Sequence, residues 1–130
     1  MPAAARQQDP VTGTDTHIVL VPSGPTVVPT PTPLPFSGPI TTKCSQNVLI
    51  NQLPAATVGS VAVNQPPHIP PNGTFQTPPK NQGQVQVGSA TVLINGKAAA
   101  RQGDTVLTCN DPVDAPNGTI SAGSPNVVIG

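Results

Sequence analysis

Apart from Met1, four side chains in this sequence are soft or borderline metal ligands: His17, Cys44, His68 and Cys109. Two imidazoles and two thiolates are a common structural zinc set, because each supplies one lone pair and four of them close a tetrahedron. The same residues offer little to catalysis. A hydrolytic zinc centre needs an open coordination position and a positioned general base, and the chain contains no Glu and no His-Glu-x-x-His. A phosphate-binding Gly loop and a Gly-x-Ser-x-Gly elbow are also missing. The chemistry on offer is that of a staple.

Four ligands scattered over the chain need a framework that brings them together, and an internal repeat supplies one. Asn47-Val48-Leu49-Ile50-Asn51 returns as Thr91-Val92-Leu93-Ile94-Asn95 and as Asn126-Val127-Val128-Ile129-Gly130. Each copy is led by a matching triplet: Cys44-Ser45-Gln46, Gly88-Ser89-Ala90 and Gly123-Ser124-Pro125. An Ala-rich motif follows the first two strands, as Pro54-Ala55-Ala56-Thr57-Val58-Gly59-Ser60 and Ala98-Ala99-Ala100-Arg101-Gln102-Gly103-Asp104. Its third copy, Ala3-Ala4-Ala5-Arg6-Gln7-Gln8-Asp9, stands at the other end of the chain. The chain thus opens with the second half of a repeat and closes with the first half, so its termini are expected side by side.

A short apolar strand, a tight turn such as Asn95-Gly96 and an Ala-rich return strand make a hairpin-like unit. One unit cannot bury its own face, but three around an axis can, and closing the ring removes exposed edges. The sequence therefore predicts an all-β, loop-rich fold with almost no helix: a small cone or triangular β prism of three pseudo-threefold repeats, as a single domain over residues 1–130. The repeat also orders the ligands. His17 comes eight residues after Asp9, His68 eight after the equivalent Ser60, and Cys109 five after the equivalent Asp104. These three are expected at one pole, with Cys44 completing the set. Cys44 aligns instead with Gly88 and Gly123 at a strand entrance, so a free, partly buried thiol is the alternative there.

Composition agrees with this architecture. With 19 Pro, 12 Gly, 2 Phe and no Trp or Tyr, aromatic burial cannot carry the core. A charged fraction of 8% with recurring Val/Leu/Ile clusters is not that of a disordered, self-repelling chain. A metal would therefore count in the fold energy, structural zinc being worth roughly 10–16 kcal/mol in small finger peptides. Zero net charge and no basic cluster argue against nucleic acid. The N-terminus shows no signal peptide pattern and no stretch is long and apolar enough to span a bilayer, so synthesis and folding in the cytoplasm are expected. That compartment disfavours a Cys44–Cys109 disulfide.

Three connections separate the repeat cores, at 10–43, 61–87 and 105–122. The run Pro29-Thr30-Pro31-Thr32-Pro33-Leu34-Pro35 predicts a stiff, polyproline-like surface arm within about 18–43. Asn72-Gly73-Thr74 and Asn117-Gly118-Thr119 match the glycosylation pattern, but Asn-Gly reads more naturally as a turn.

Pro2-Ala3-Ala4-Ala5-Arg6, the Ala98 to Asp104 motif and the Val-Leu-Ile strands together resemble the PAAR-repeat family of spike-tip proteins in contractile injection systems. The resemblance implies a cone whose base caps a trimeric β-helical spike, one tip per trimer, with structural zinc near the apex. It further implies a monomeric, non-enzymatic part that sharpens the spike for membrane piercing, with effector cargo as a second partner and a final place outside the producing cell or in its target. Members often carry three His and one Cys, and the loop before the second repeat commonly supplies a His; here Phe36 lies in that loop, which bears on the role of Cys44. The second repeat departs too, with Thr57-Val58-Gly59-Ser60 in place of Ala-Arg-x-Gly-Asp, a variant associated with phage-like extracellular particles. A small zinc hydrolase and a secreted, disulfide-linked adhesin-like β domain are the rival readings.

Overall fold

A computed structural model describes all 130 residues. It contains eleven strands and no helix: β1 (Pro10–Ser23), β2 (Thr26–Thr42), β3 (Leu49–Ile50), β4 (Leu53–Pro54), β5 (Val61–Val63), β6 (Thr74–Phe75), β7 (Gln82–Val85), β8 (Leu93–Ile94), β9 (Lys97–Ala98), β10 (Thr105–Thr108) and β11 (Ala115–Ile120). The all-β expectation holds.

The repeat is built on three sets of matching contacts. In each copy a Ser hydroxyl accepts the N–H three residues on, at 2.9 Å: Ser45 from Val48, Ser89 from Val92 and Ser124 from Val127. That bond turns the chain into the apolar strand and explains the Ser in each leading triplet. The Ala motif then folds back, with Ala55, Ala99 and Ala4 donating to Val48, Val92 and Val127. Finally the three copies grip one another in a cycle. Ala5 donates to Ala100, Ala100 to Ala56 and Ala56 to Ala5, each bond at 3.0 Å. All three of these Ala are fully buried, so no larger side chain fits at the ring.

A second cycle lies one layer out. Asn95 donates to Asn47, and Asn51 donates to Asn126, both at 2.8 Å. In the third position, where the strand ends in Gly130, its carbonyl takes the Ser89 hydroxyl instead. The C-terminal segment thereby locks the second repeat to the third, while Ala3 bridges Val128 and the two termini lie side by side.

The turns ending the Ala motifs are also equivalent. The Asp9 and Asp104 carboxylates accept the N–H of Arg6 and Arg101 at 2.7 Å and pair with the same guanidiniums. In the second repeat the Ser60 hydroxyl takes the Thr57 N–H at 2.9 Å and, having a proton to give, donates to the Lys43 carbonyl. The departure at Ser60 thus keeps the turn and adds an anchor for the preceding strand.

The connections between repeat cores are the largest difference from expectation, because they form most of the sheet. Strands β1, β2, β5, β7, β10 and β11 pair antiparallel in that order, and β11 returns to β1, so the six close on themselves. Loop-rich composition concealed this: Gly stands where strands approach closely. A Cβ on Gly118 in β11 would lie 2.7 Å from Thr108 Cγ2, so Asn117-Gly118 is strand and not turn, whereas Asn72 does sit in a turn at φ 58°. Inside the closed sheet lie Val11, Phe36, Ile40, Ala62, Val85, Val106 and Ile120, on top of the Ala ring. Beneath the ring Ile50, Ile94 and Ile129 form a separate cluster with Ala4, Ala55 and Ala99.

The Pro-rich run is a second difference. It forms not a polyproline arm but β2, paired with β1 over fourteen positions from Pro10↔Pro39 to Ser23↔Thr26.

Candidate metal centre

Strand alternation sends every second side chain of β1 inward, and Val11, Asp15, His17 and Val19 are all essentially inaccessible. Asp15 and His17 therefore reach the core side by side from one strand. Cys109 arrives from the end of β10, where it follows the buried Thr108. His68 comes from the connection between β5 and β6. Its backbone N–H donates to Asn81 Oδ1 at 2.8 Å, and its Nδ1 lies 3.2 Å from Asn64 Nδ2. One ligand atom from each of Asp15, His17, His68 and Cys109 lies within 4.8 Å of the other three. These four buried side chains could hold a metal ion.

The polar contacts turn on the Asp15 carboxylate. Its Oδ1 accepts the Thr108 hydroxyl at 2.5 Å, and its Oδ2 faces His68 Nε2 at 3.0 Å and Cys109 Sγ at 3.3 Å. Asn64 Oδ1 already accepts the Ser37 N–H, so its amide group points at His68 Nδ1 and leaves the imidazole proton on Nε2, facing Asp15. Burial, then the charge and hydrogen bond of Asp15, push the Cys109 thiol up to about 11, so at neutral pH it keeps its proton. Holding a cation requires the protons on Cys109 Sγ and His68 Nε2 to leave.

His17 is the group that these contacts leave unserved. Neither ring nitrogen has a hydrogen-bond partner, although both are buried. Asp111 Oδ2 lies 3.4 Å from Nδ1 but is aligned on the Ile18 N–H, at 2.9 Å. A buried imidazole without a partner is costly, and a metal would relieve it. Two nitrogens, a thiol and a carboxylate are a donor set that fits zinc in tetrahedral coordination. Both Phe residues of the chain wall the site, Phe75 at 5.8 Å from His17 and Phe36 at 6.4 Å from His68 between ring centroids. Phe36, from the loop before the second repeat, thus shields the site.

Of the four residues singled out from sequence, His17, His68 and Cys109 come together and Cys44 does not. Its thiol faces the Thr42 carbonyl at 3.8 Å, beside a groove lined by Lys43, Asn47, Asn95 and Lys97. Burial pushes the Cys44 thiol up, which keeps it neutral. Both cysteines are free. Asp15 is the fourth member of the cluster, and sequence reasoning missed it by counting soft ligands only. The signal was there: Val11, Asp15, His17 and Val19 share one parity along a strand, which places a carboxylate beside the imidazole.

A closed sheet over a cyclic three-repeat base, with a buried cluster of four side chains inside that could hold a metal ion, defines the class of fold. The family model described as "PAAR motif" matches residues 35–113 and 75–130. The chain belongs to the PAAR motif family, whose members are structural parts of the spike of secretion machines. Comparison with curated proteins finds no significant match to any of them. No helix is long and apolar enough to cross a membrane.

Proposed function

We propose that this chain caps the blunt end of a trimeric spike in a contractile injection apparatus, one chain per trimer, as its sharpened tip. The observation that carries the reading is the exposure of one repeat position in all three copies. Leu49, Leu93 and Val128 are 59%, 65% and 54% exposed, while the neighbouring Ile50, Ile94 and Ile129 are buried. Three large apolar groups at equivalent places below the Ala ring suit a partner with threefold symmetry, since three near-identical faces can meet three identical subunits almost equivalently. The conical reading, in which the closed sheet narrows away from that base, goes with it.

The metal's part in this function is mechanical. Zinc held by Asp15, His17, His68 and Cys109 would supply Lewis-acid cross-linking of β1, β10 and the β5–β6 connection, tying together the end remote from the base. Nothing in the site offers an open position beside a general base, so the role is that of a staple under load. Cargo would be carried by contacts with separate effector proteins, and the tip would leave the producing cell with the spike.

The test is to mix the chain with the trimeric spike protein of its own injection apparatus and measure the mass of the complex. One chain per trimer is expected, and Leu49→Asp with Leu93→Asp should abolish it while leaving the melting temperature within about 5 °C, as exposed positions allow. No complex, or three chains per trimer, would overturn the reading.

A further inference from the structure

Apart from the two His, ten side chains of this sequence can carry charge, five Asp against five Lys or Arg. Eight of them are engaged within the chain. Asp9 pairs with Arg6, Asp104 with Arg101 and Asp114 with Lys80. Asp15 stands in the candidate metal centre, and Asp111 accepts the Ile18 N–H beside His17. Lys43 and Lys97 are the two left over, with no ion pair and no hydrogen bond from Nζ. Both line one groove of about 390 Å³, and no carboxylate lines it with them.

The groove exists because the three boundaries between repeats are not alike. At the boundary bridged by Arg6 and Ala55, the Arg6 side chain is held by Asp9 and leans across to donate from Nη1 to Asn51 Oδ1 at 3.1 Å. At the boundary bridged by Ala4 and Arg101, Asp104 holds the Arg101 guanidinium, which also approaches the Gly88 carbonyl at 3.5 Å. At the third, bridged by Thr57 and Ala99, the corresponding residue is Thr57, whose hydroxyl turns to the Val58 carbonyl and reaches no further. The seat that an Arg–Asp pair fills twice is open once, with Cys44 and Thr57 on its wall.

The same departure brings the free cations in. Ser60 stands where Asp9 and Asp104 stand in the other copies, so the acid is gone. Its hydroxyl donates to the Lys43 carbonyl at 2.9 Å and holds Lys43, at φ 58°, on the edge of the groove. The positions equivalent to Lys43 are Val87 and Ala122, and those equivalent to Lys97 are Leu53 and Pro2, so neither lysine has a counterpart at the other boundaries. An internal ion pair has been exchanged for two ammonium groups, one from each of the repeats that meet there. Like charges sharing a groove repel, and a negative group supplied from outside turns that repulsion into attraction.

We propose that this groove binds an acidic peptide segment of a protein partner, at one site per chain. A Lys ammonium is a compact point charge with three donors, which suits a carboxylate at each end of the groove. The volume is that of a ligand cleft and not of a single-ion site. Along it Gln46, Asn47 and Asn95 carry amides, the groups that pair with a peptide backbone. Nucleic acid is disfavoured, since two free cations on a chain of zero net charge cannot track a phosphate backbone. Because only one boundary is open, the groove gives a pseudo-threefold chain a single distinguishable side. The inference does not depend on the spike-tip reading, and its test uses no spike.

The full chain would be titrated calorimetrically with end-capped hexaglutamate, with end-capped hexaglutamine and with inorganic phosphate. One hexaglutamate per chain is expected, bound more weakly as salt is raised, with no binding of hexaglutamine. Lys43→Gln and Lys97→Gln should each weaken it about fivefold, the upper end for one exposed ion pair. Lys80→Gln removes a lysine already paired with Asp114 and should leave the affinity unchanged. Thr57→Arg with Ser60→Asp rebuilds the pair of the other boundaries and should abolish binding; the lysine variants, at exposed positions, decide the matter if that double variant does not fold. No binding of hexaglutamate up to about 1 mM, or an equal loss in Lys80→Gln, would overturn the inference. Phosphate bound as tightly as hexaglutamate would overturn it too, by showing a small-anion site, and so would equal binding of hexaglutamine.

Discussion

Exchanging the fourth ligand separates what sequence and geometry expect of the metal centre. Asp15 is fully buried and accepts from Thr108, His68 and Cys109. In the metal-free chain Asp15→Ala strands three buried donors, at roughly 1–3 kcal/mol for each unsatisfied group, or about 2–6 kcal/mol with the weak thiol discounted. In the metal-loaded chain, where the His68 Nε2 and Cys109 protons have left, a hundredfold weaker metal would instead remove ~2.7 kcal/mol by linkage. Either loss is a large fraction of the stability of a typical domain, about 5–15 kcal/mol, so Asp15→Asn is the better probe. Its carbonyl still accepts from Thr108 while the anionic ligand is gone. Cys44→Ala removes only a half-buried thiol with one long contact, a change of less than about 1 kcal/mol. Metal per chain by inductively coupled plasma mass spectrometry, with melting curves before and after chelation, reads both effects. Near-stoichiometric zinc in Cys44→Ala, depleted zinc in Asp15→Asn, and a melting temperature that chelation lowers only where zinc was present are expected. Zinc lost from Cys44→Ala but kept by Asp15→Asn would refute the assignment. Full stability of the parent chain after complete chelation would refute the staple.

Two further outcomes follow from local geometry. The β3–β4 and β8–β9 turns both need two residues at positive φ, and where Asn95 is followed by Gly96, Asn51 is followed by Gln52 at φ 69°. Gln52→Gly is expected to stabilise by up to about 1 kcal/mol in denaturant unfolding, and a loss of stability would show that the Gln side chain contributes more than its strain costs. The second outcome concerns the chelated protein. The folded Cys109 thiol holds its proton to about 11, above the unfolded value near 9, so its contribution to stability is fully present below pH 9 and declines as pH rises through 11. Cys109→Ser should flatten that alkaline fall in melting temperature, and an unchanged profile would argue against it.

The order of repeat halves, the side-by-side termini and the all-β character were legible in the sequence because they depend on local facts. A Ser that accepts the N–H three residues on and an Ala small enough for the axis leave the same letters in each copy. So did His17, His68 and Cys109, whose offsets from Asp9, Ser60 and Asp104 place them at corresponding heights. The fourth corner was not legible in that way. Cys44 has the right element for a ligand, but its side chain belongs to the layer of the Ala ring; Asp15 reaches the site because β1 is a strand whose inward parity it shares with His17. Only tertiary pairing decided that parity. The same pairing turned the Thr-Pro run from a stiff polar-looking arm into an edge strand, since whether a proline faces a partner or the outside depends on a register fixed by residues far along the chain. Chemistry carried by residue type was therefore visible in one dimension, and chemistry carried by direction had to wait for three.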